Sequence, residues 1–385
     1  MKASISVLMA VLFCAMASGC SYAGRIAEAR SEGGQTRKGT RALAPNANAS
    51  VSPEWRLGAP ITRENLTVFP VLSDEAISTE EYITLDEGLK SGKVTITEIG
   101  ADGRSRAISP NQQSGDQAEV NRLMVTNNSG KTLVLIAGEI VVGGKQDRIV
   151  GHDCLVSSSG KPVPLEVFCV EHGRWHEGAS FGQSRGGSAG VGGGAGVGPG
   201  AGGFGTARAV MAPPTVREKA QARKDQGQVW AEVSKAESAT GVSSSTGTLN
   251  KVFEDKQVNA KLDAFDKELS VKLVGKNIVG AVVAIGGEVV SADVFANSNL
   301  FQAYWPKLLK SYALQAVSSA NAASQTVDRA SAEAFLARAN AESSSNGKDG
   351  IYRLTERNAA SDASFELESD ASTRKLIHFN RVNKK

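Results

Sequence analysis

Cysteine is scarce in this chain: four in 385 residues, two of them, Cys14 and Cys20, within the first twenty. A dense disulfide framework of the kind that staples small secreted domains is therefore excluded. After the first nineteen residues no apolar run reaches the roughly twenty residues that a membrane-crossing helix needs. Neither sign of charge dominates. Lys and Arg number 43 against 40 Asp and Glu, a formal net charge of +3, and no basic patch interleaves with aromatics, so nucleic acid is not an expected partner. Only Lys384 and Lys385 make a short basic end. No Ser/His/Asp order or paired-carboxylate motif is legible, so spacing alone assigns no reaction and no cofactor.

What is present begins at the N-terminus. Lys2 gives a positive start, Ile5 to Met16 is apolar, and Ala17, Ser18 and Gly19 lead into Cys20. Residues 1–19 thus read as an export signal, too short and wrongly flanked for a spanning helix. The Ala-Ser-Gly-Cys tetrad resembles the lipobox of bacterial lipoproteins. That resemblance implies lipidation of Cys20, including palmitate-type chains, and a chain tethered to a membrane. Ser21 stands where Asp would imply retention in the inner membrane, which points to the periplasmic face of the outer membrane. The plainer alternative is an ordinary secreted protein.

Residues 20–55, rich in Arg, Ala, Gly, Ser and Asn without an apolar period, suit a flexible tether. The remainder, 56–385, is expected to be a single α+β domain: an antiparallel β-rich sheet or sandwich with several helices inserted in its second half. Leu66 to Leu72 is strand-like, and Pro70 within it predicts an edge or bent strand. Thr84 ahead of Asp86 and Glu87 predicts a capped helix over Leu85 to Ser91. Leu123 to Thr126 and Thr132 to Ala137 flank Asn127-Asn128-Ser129-Gly130, a hairpin composition. Cys154 to Val156 and Val163 to Val170 suggest a second hairpin. There the two cysteines either bridge or stay as separate buried thiols, the latter being preferred.

Twelve of the twenty residues from Gly186 to Gly205 are glycine. The stretch lacks the Gly-Lys-Ser/Thr ending of a phosphate loop, so 182–206 is expected to be an inserted loop. Pro213-Pro214-Thr215 with Glu218 predicts a capped helix running through Trp230 and Val233. Val258, Leu262, Phe265 and Leu269 line one face of another. Ile278 to Ile285 and Val289 to Phe295, around Gly286-Gly287-Glu288, predict a hairpin. Leu300 to Val317 is helical in pattern, with Pro306 expected to kink or restart it. A helix near Ser331 to Ala341 and strands at Ile351 to Leu354, Phe365 to Leu367 and Leu376 to Phe379 should complete the sheet.

Gly138-Glu139-Ile140-Val141-Val142-Gly143-Gly144-Lys145-Gln146-Asp147-Arg148, followed by Cys169-Val170-Glu171-His172-Gly173-Arg174-Trp175, resembles the ADP-ribosylglycohydrolase and rhodanese-phosphatase-superfamily-associated protein domain. Gly280 to Gly287, Asp293 to Phe295 and Leu300-Phe301 are similar to its second half. The resemblance spans roughly Leu66 to Phe379. It implies companions that handle NAD-derived or ADP-ribosylated molecules, and names no reaction. The export signal and the glycine insertion depart from it.

Read from the residues themselves, Glu139 to Arg148 brings a carboxylate, two glycines and the donors Lys145, Gln146 and Arg148 into a short span that suits an anionic ligand. The alternative is a tight hairpin whose charges are solvated and whose Glu139 pairs with an Arg. Glu171, Arg174 and Trp175 place a guanidinium beside an indole, suited to phosphate and to stacking, or else to capping the core. His172 and His176 have metal-ligand spacing only on a helix, which Gly173 argues against, so no metal is expected. Cys169, between Phe168 and Val170, reads as core more than as nucleophile, and Ser243 to Thr246 as helix capping more than as an anion site. Two functions compete. One is an envelope lipoprotein that binds, and in one version hydrolyses, a nucleotide-like NAD- or ADP-ribose-derived anion through Glu139, Lys145, Gln146, Arg148, Glu171, Arg174 and Trp175. The other is a non-catalytic envelope lipoprotein that binds a protein partner.

Overall fold

Strand-forming residues from both ends of the domain meet in one large sheet. The computed structural model describes residues 55–74, 77–99, 121–173, 206–273, 275, 277–319, 325–338, 342–346, 351–369 and 374–384, all in one compact unit. In chain order the early strands are β1 (Arg56–Leu57), β2 (Ile61–Arg63), β3 (Leu66–Leu72), β4 (Tyr82–Thr84), β5 (Val94–Glu98), β6 (Arg122–Asn127), β7 (Thr132–Leu135), β8 (Glu139–Val142) and β9 (Arg148–Val150). Next come β10 (Cys154–Val156), β11 (Val163–Cys169), β12 (Thr206–Met211), β13 (Ile278–Ile285) and β14 (Glu288–Phe295). The last are β15 (Glu342–Asn346), β16 (Tyr352–Asn358), β17 (Asp362–Ser369) and β18 (Lys375–Asn383). A nine-stranded antiparallel sheet runs β1-β3-β13-β14-β18-β17-β16-β15, with β2 also on β3. A six-stranded sheet runs β12-β8-β9-β11-β6-β5, and a three-stranded one β10-β7-β4, in which β4 and β7 are parallel. The class is α+β, and the second half does complete the large sheet.

The helices are α1 (Leu85–Lys90), α2 (Pro214–Arg217), α3 (Gln226–Thr240), α4 (Leu249–Glu254), α5 (Lys256–Leu269), α6 (Ser298–Ser318) and α7 (Arg329–Ala337). Every residue of β13 is buried, and α6 packs on it. The stripe Val258, Leu262, Phe265 and Leu269 is the buried face of α5, which packs on α6 in turn. At α1 the capping box is formed: Glu87 N donates to Thr84 Oγ1 at 3.3 Å, and Thr84 N to Glu87 Oε2 at 3.0 Å.

Several expectations are corrected. Strand β3 lies inside the sheet, between β13 and the short β1 and β2. Pro70 is tolerated there because its ring faces the break between those two; its carbonyl accepts from Gly58 N at 2.7 Å and no donor is needed. The Asn127 to Gly130 turn is not a hairpin, since β6 pairs with β5 and β11 whereas β7 pairs with β10 and β4. Asn127 redirects the chain by donating from its amide to Lys131 O (2.8 Å) and Val156 O (2.9 Å) and accepting from Ser129 N (3.0 Å). Strands β10 and β11 likewise do not pair. Cys154 and Cys169 form no disulfide: both are buried thiols, in different sheets.

The helix expected from Thr215 through Val233 is two helices. Its N-cap is Pro213, without a side-chain bond, and Thr215 N donates to Gln315 Oε1 at 3.1 Å from inside α2. A π-turn over Glu218–Arg223 follows, Lys224 turns left-handed (φ 54°), and Asp225 caps α3 by accepting from Gln228 N at 2.9 Å. In contrast, α6 continues unbroken past Pro306. One lost hydrogen bond and a ring clash cost about 3 kcal/mol. Burial of Phe301, Tyr304, Trp305, Leu308 and Tyr312 outweighs that at roughly 1.5–3 kcal/mol for each large apolar side chain.

Candidate functional site

Among the described residues a dense polar arrangement lies buried under α6. Asp293, between apolar Ala292 and Val294 on β14, accepts a two-pronged pair from Arg217 of α2, Nη1 at 3.1 Å and Nη2 at 2.7 Å. The Tyr312 hydroxyl, Ser291 Oγ (3.2 Å) and Asn380 Nδ2 (3.1 Å) also donate to it. His378 of β18 stands with Nε2 3.2 Å from Asp293 Oδ1 and Nδ1 2.6 Å from Asp153 Oδ2. A neutral imidazole has one N–H, so a ring with a carboxylate at each nitrogen fits as imidazolium. Burial alone would lower the His378 pKa, but Asp153 and Asp293 outweigh it and push it up to about 9. Burial would raise Asp293 too, yet Arg217 and His378 hold it far below the usual carboxylate range.

A second group continues the layer. Lys307 of α6 is buried with Nζ 2.5 Å from Glu139 Oε1 and 2.7 Å from Asp86 Oδ2, and lies 4.4 Å over the Tyr304 ring. Burial would lower Lys307, and the charges of Glu139 and Asp86 raise it instead. For Glu139 burial prevails and pushes the carboxyl up against the pull of Lys307. The turn from Ile136 to Glu139 joins both groups: Ile136 N donates to Glu139 Oε2 and Ala137 N to Asp153 Oδ1, each at 2.7 Å. Gly138 makes this possible. Its φ is 90°, and a Cβ there would stand 2.5 Å from Arg217 Cγ. The layer crosslinks α1, α2, α6, β14 and β18 with the turns beside β8 and β9. Arg217, Asp293, Asp153 and His378 offer a substrate no exposed surface.

The glycine turn between β8 and β9 is built differently. Gly143 (φ 121°) and Gly144 (φ 58°) fold it tightly. Gly143 N donates to Asp147 Oδ1 (3.1 Å), Lys145 N to Glu98 Oε1 (2.8 Å) and Asp147 N to Glu171 Oε2 (3.0 Å). Carboxylates of the chain itself thus hold the amides that a phosphate cradle would use. Gln146 Nε2 donates to Glu171 O at 2.9 Å, and Thr248 Oγ1 to Asp147 Oδ2 at 2.8 Å. The Lys145 side chain is exposed.

Of the candidates named from sequence, Lys145, Gln146 and Glu171 gather at this turn, and Arg148 follows immediately, buried in β9 opposite Cys169. Glu139, on the same hairpin, turns away to Lys307. Arg174, Trp175 and Cys20 lie outside the described residues, as do His176 and the glycine stretch before Thr206. The Cys169 thiol is pushed up to about 11 by burial, which makes it a poor nucleophile at neutral pH. Helix α4 is capped by Thr248, which accepts from Asn250 N at 3.2 Å, and Ser244 serves the preceding loop. Among the described residues no group of His, Cys, Asp and Glu is arranged to hold a metal ion.

Sequence reasoning missed Asp86, Asp153, Arg217, Asp293, Lys307, Tyr312 and His378. A signal did exist for three of them: Lys307 in Trp-Pro-Lys-Leu-Leu, His378 in Leu-Ile-His-Phe and Asp293 in Ala-Asp-Val-Phe each put a lone charge inside an apolar run. Such residues are rarely buried unless paired.

No curated protein and no solved structure matches the chain. Residues 54–382, far more than half its length, match the ARG and Rhodanese-Phosphatase-superfamily-associated Protein domain. The chain therefore belongs to the family of ARG and Rhodanese-Phosphatase-superfamily-associated Protein domains.

Proposed function

We propose that the mature chain is a membrane-anchored envelope lipoprotein whose domain binds a nucleotide-like, NAD- or ADP-ribose-derived anion beside the glycine turn and the end of β11. The observation that carries this reading is the convergence of two sequence-distant motifs. Gln146 and Asp147 bond to Glu171, and exposed Lys145 stands at the rim. Side chains, not backbone amides, hold the anion in this account, because Asp147, Glu98 and Glu171 already occupy the amides. Lys145 and Arg174 supply the charge and Trp175 a stacking face. The family's association with ARG supports the ligand class. The role proposed is binding, without a nucleophilic part for Cys169, whose thiol burial pushes up to about 11. The anchor rests on Ala17 to Cys20.

Thermal shift and calorimetry of the mature protein with ADP-ribose, NAD, AMP and inorganic phosphate test the ligand. A melting temperature raised by the nucleotides and unmoved in Lys145→Ala is the expected result. A flat response to every compound at millimolar concentration would contradict it. Incorporation of a palmitate analogue, lost in Cys20→Ser, tests the anchor, and equal labelling of both forms would remove it.

A further inference from the structure

Beside the proposed site, α3 carries two buried polar atoms that find no hydrogen-bond partner among the described residues: the indole Nε1 of Trp230 and Oε1 of Glu237. Native proteins seldom leave such atoms unsatisfied. Seven residues apart, they share one face of the helix, two turns from each other. His172 and Gly247 link them. The His172 ring meets Trp230 edge-on at 4.6 Å, and a Cβ at Gly247 would stand 3.7 Å from His172 Cβ and 3.9 Å from Glu237 Oε2. Its floor is fixed by His172 N donating to Gly247 O (3.2 Å), Gly173 N to Thr246 O (2.7 Å) and a β-bridge between Glu171 and Thr248. This is the same strand end that brings Glu171 to the glycine turn.

The chemistry of the two atoms limits what fills the place. An indole N–H needs an acceptor and a carboxylate oxygen needs a donor, and a hydroxyl is both. A phosphate dianion has no donor and would be repelled by Glu237. Burial pushes the Glu237 carboxyl up. An aromatic ring beside a carboxylate suits a sugar, whose C–H face packs on the ring while its hydroxyls bond. We infer that Trp230, Glu237 and His172 form a subsite for a vicinal diol, the sugar portion of the bound ligand. The inference rests on the binding reading above. His172 is exposed and turns from the indole edge to admit the sugar, a rotamer change open to any surface side chain.

The test compares adenosine with 2′-deoxyadenosine, uncharged compounds that differ by one hydroxyl, together with ADP-ribose, D-ribose and a neutral oligosaccharide, each titrated into the mature protein by calorimetry. Adenosine should bind roughly tenfold to a hundredfold more tightly than its deoxy form, the range expected when a hydrogen bond to a charged group is lost. Trp230→Phe and Glu237→Gln should each remove most of that difference. Both should still fold, since neither breaks an existing hydrogen bond. Preference for the oligosaccharide over adenosine would keep the subsite and assign its diol to a glycan. Equal affinity for the two nucleosides, or unchanged discrimination in both variants, would overturn the subsite. Loss of ADP-ribose binding in Lys145→Ala under that outcome would leave the anion site standing. Discrimination by the subsite with Lys145→Ala indifferent to ADP-ribose would do the reverse, and no binding of any compound would overturn both.

Discussion

The layer under α6 and the turn between β8 and β9 both concentrate charge, but they satisfy it in different ways. Under α6, charge meets charge across distant parts of the chain: Arg217 with Asp293, His378 with Asp153 and Asp293, Lys307 with Glu139 and Asp86. At the turn, carboxylates meet backbone amides, and the pairing shapes one loop. The first arrangement ties whole elements together and buries its charges, with only Asp86 partly exposed. The second leaves a cation, Lys145, at the surface. Density of charge and exposure to solvent are thus separate properties in this molecule.

Removing one partner from the sealed layer should have the largest effect. Asp293→Ala leaves Arg217 and His378 buried without their shared carboxylate, and a loss of about 3–5 kcal/mol in urea unfolding is expected. A loss below 1 kcal/mol would mean that water or another carboxylate takes over. Gly138→Ala should come next, at about 1–3 kcal/mol, because the new Cβ meets Arg217 and the backbone has positive φ.

The layer also makes stability depend on pH. The folded pKa of His378 is raised from 6.5 to about 9, so its stabilising contribution is complete below 6.5 and is lost as pH rises through about 9. Unfolding free energy should fall between pH 7 and 9.5 in the wild type and stay flatter in His378→Gln, as read by denaturant titration at each pH. Parallel profiles for the two proteins would show that His378 is not the titrating group. At the small end, Lys145→Ala should change stability by no more than about 0.5 kcal/mol, being an exposed side chain away from the sealed layer.

The contrast also explains what the sequence disclosed. Periodicity found the buried face of α5 and the β13–β14 hairpin, because both depend on local repetition. It assigned a hairpin at Asn127 to Gly130 because turn composition marks a change of direction and is silent about which strand becomes the partner. Pro306 suggests a restart or a kink, and the helix does not restart there, since local cost is legible and the burial that offsets it is not. At the candidate site, Lys145, Gln146 and Glu171 are legible through their glycine neighbours. Asp153 and Arg217 were missed because their partners lie far along the chain, and only the folded topology brings them together.

The most direct test of this division measures stability and ADP-ribose affinity on the same two variants, Lys145→Ala and His378→Gln, at pH 7. The account predicts that Lys145→Ala keeps wild-type unfolding free energy and loses at least tenfold in affinity, and that His378→Gln loses stability and binds as wild type while folded. Reduced stability with full affinity in Lys145→Ala, or the loss of binding in a folded His378→Gln, would contradict it by placing the ligand at the sealed layer and the structural charge at the turn.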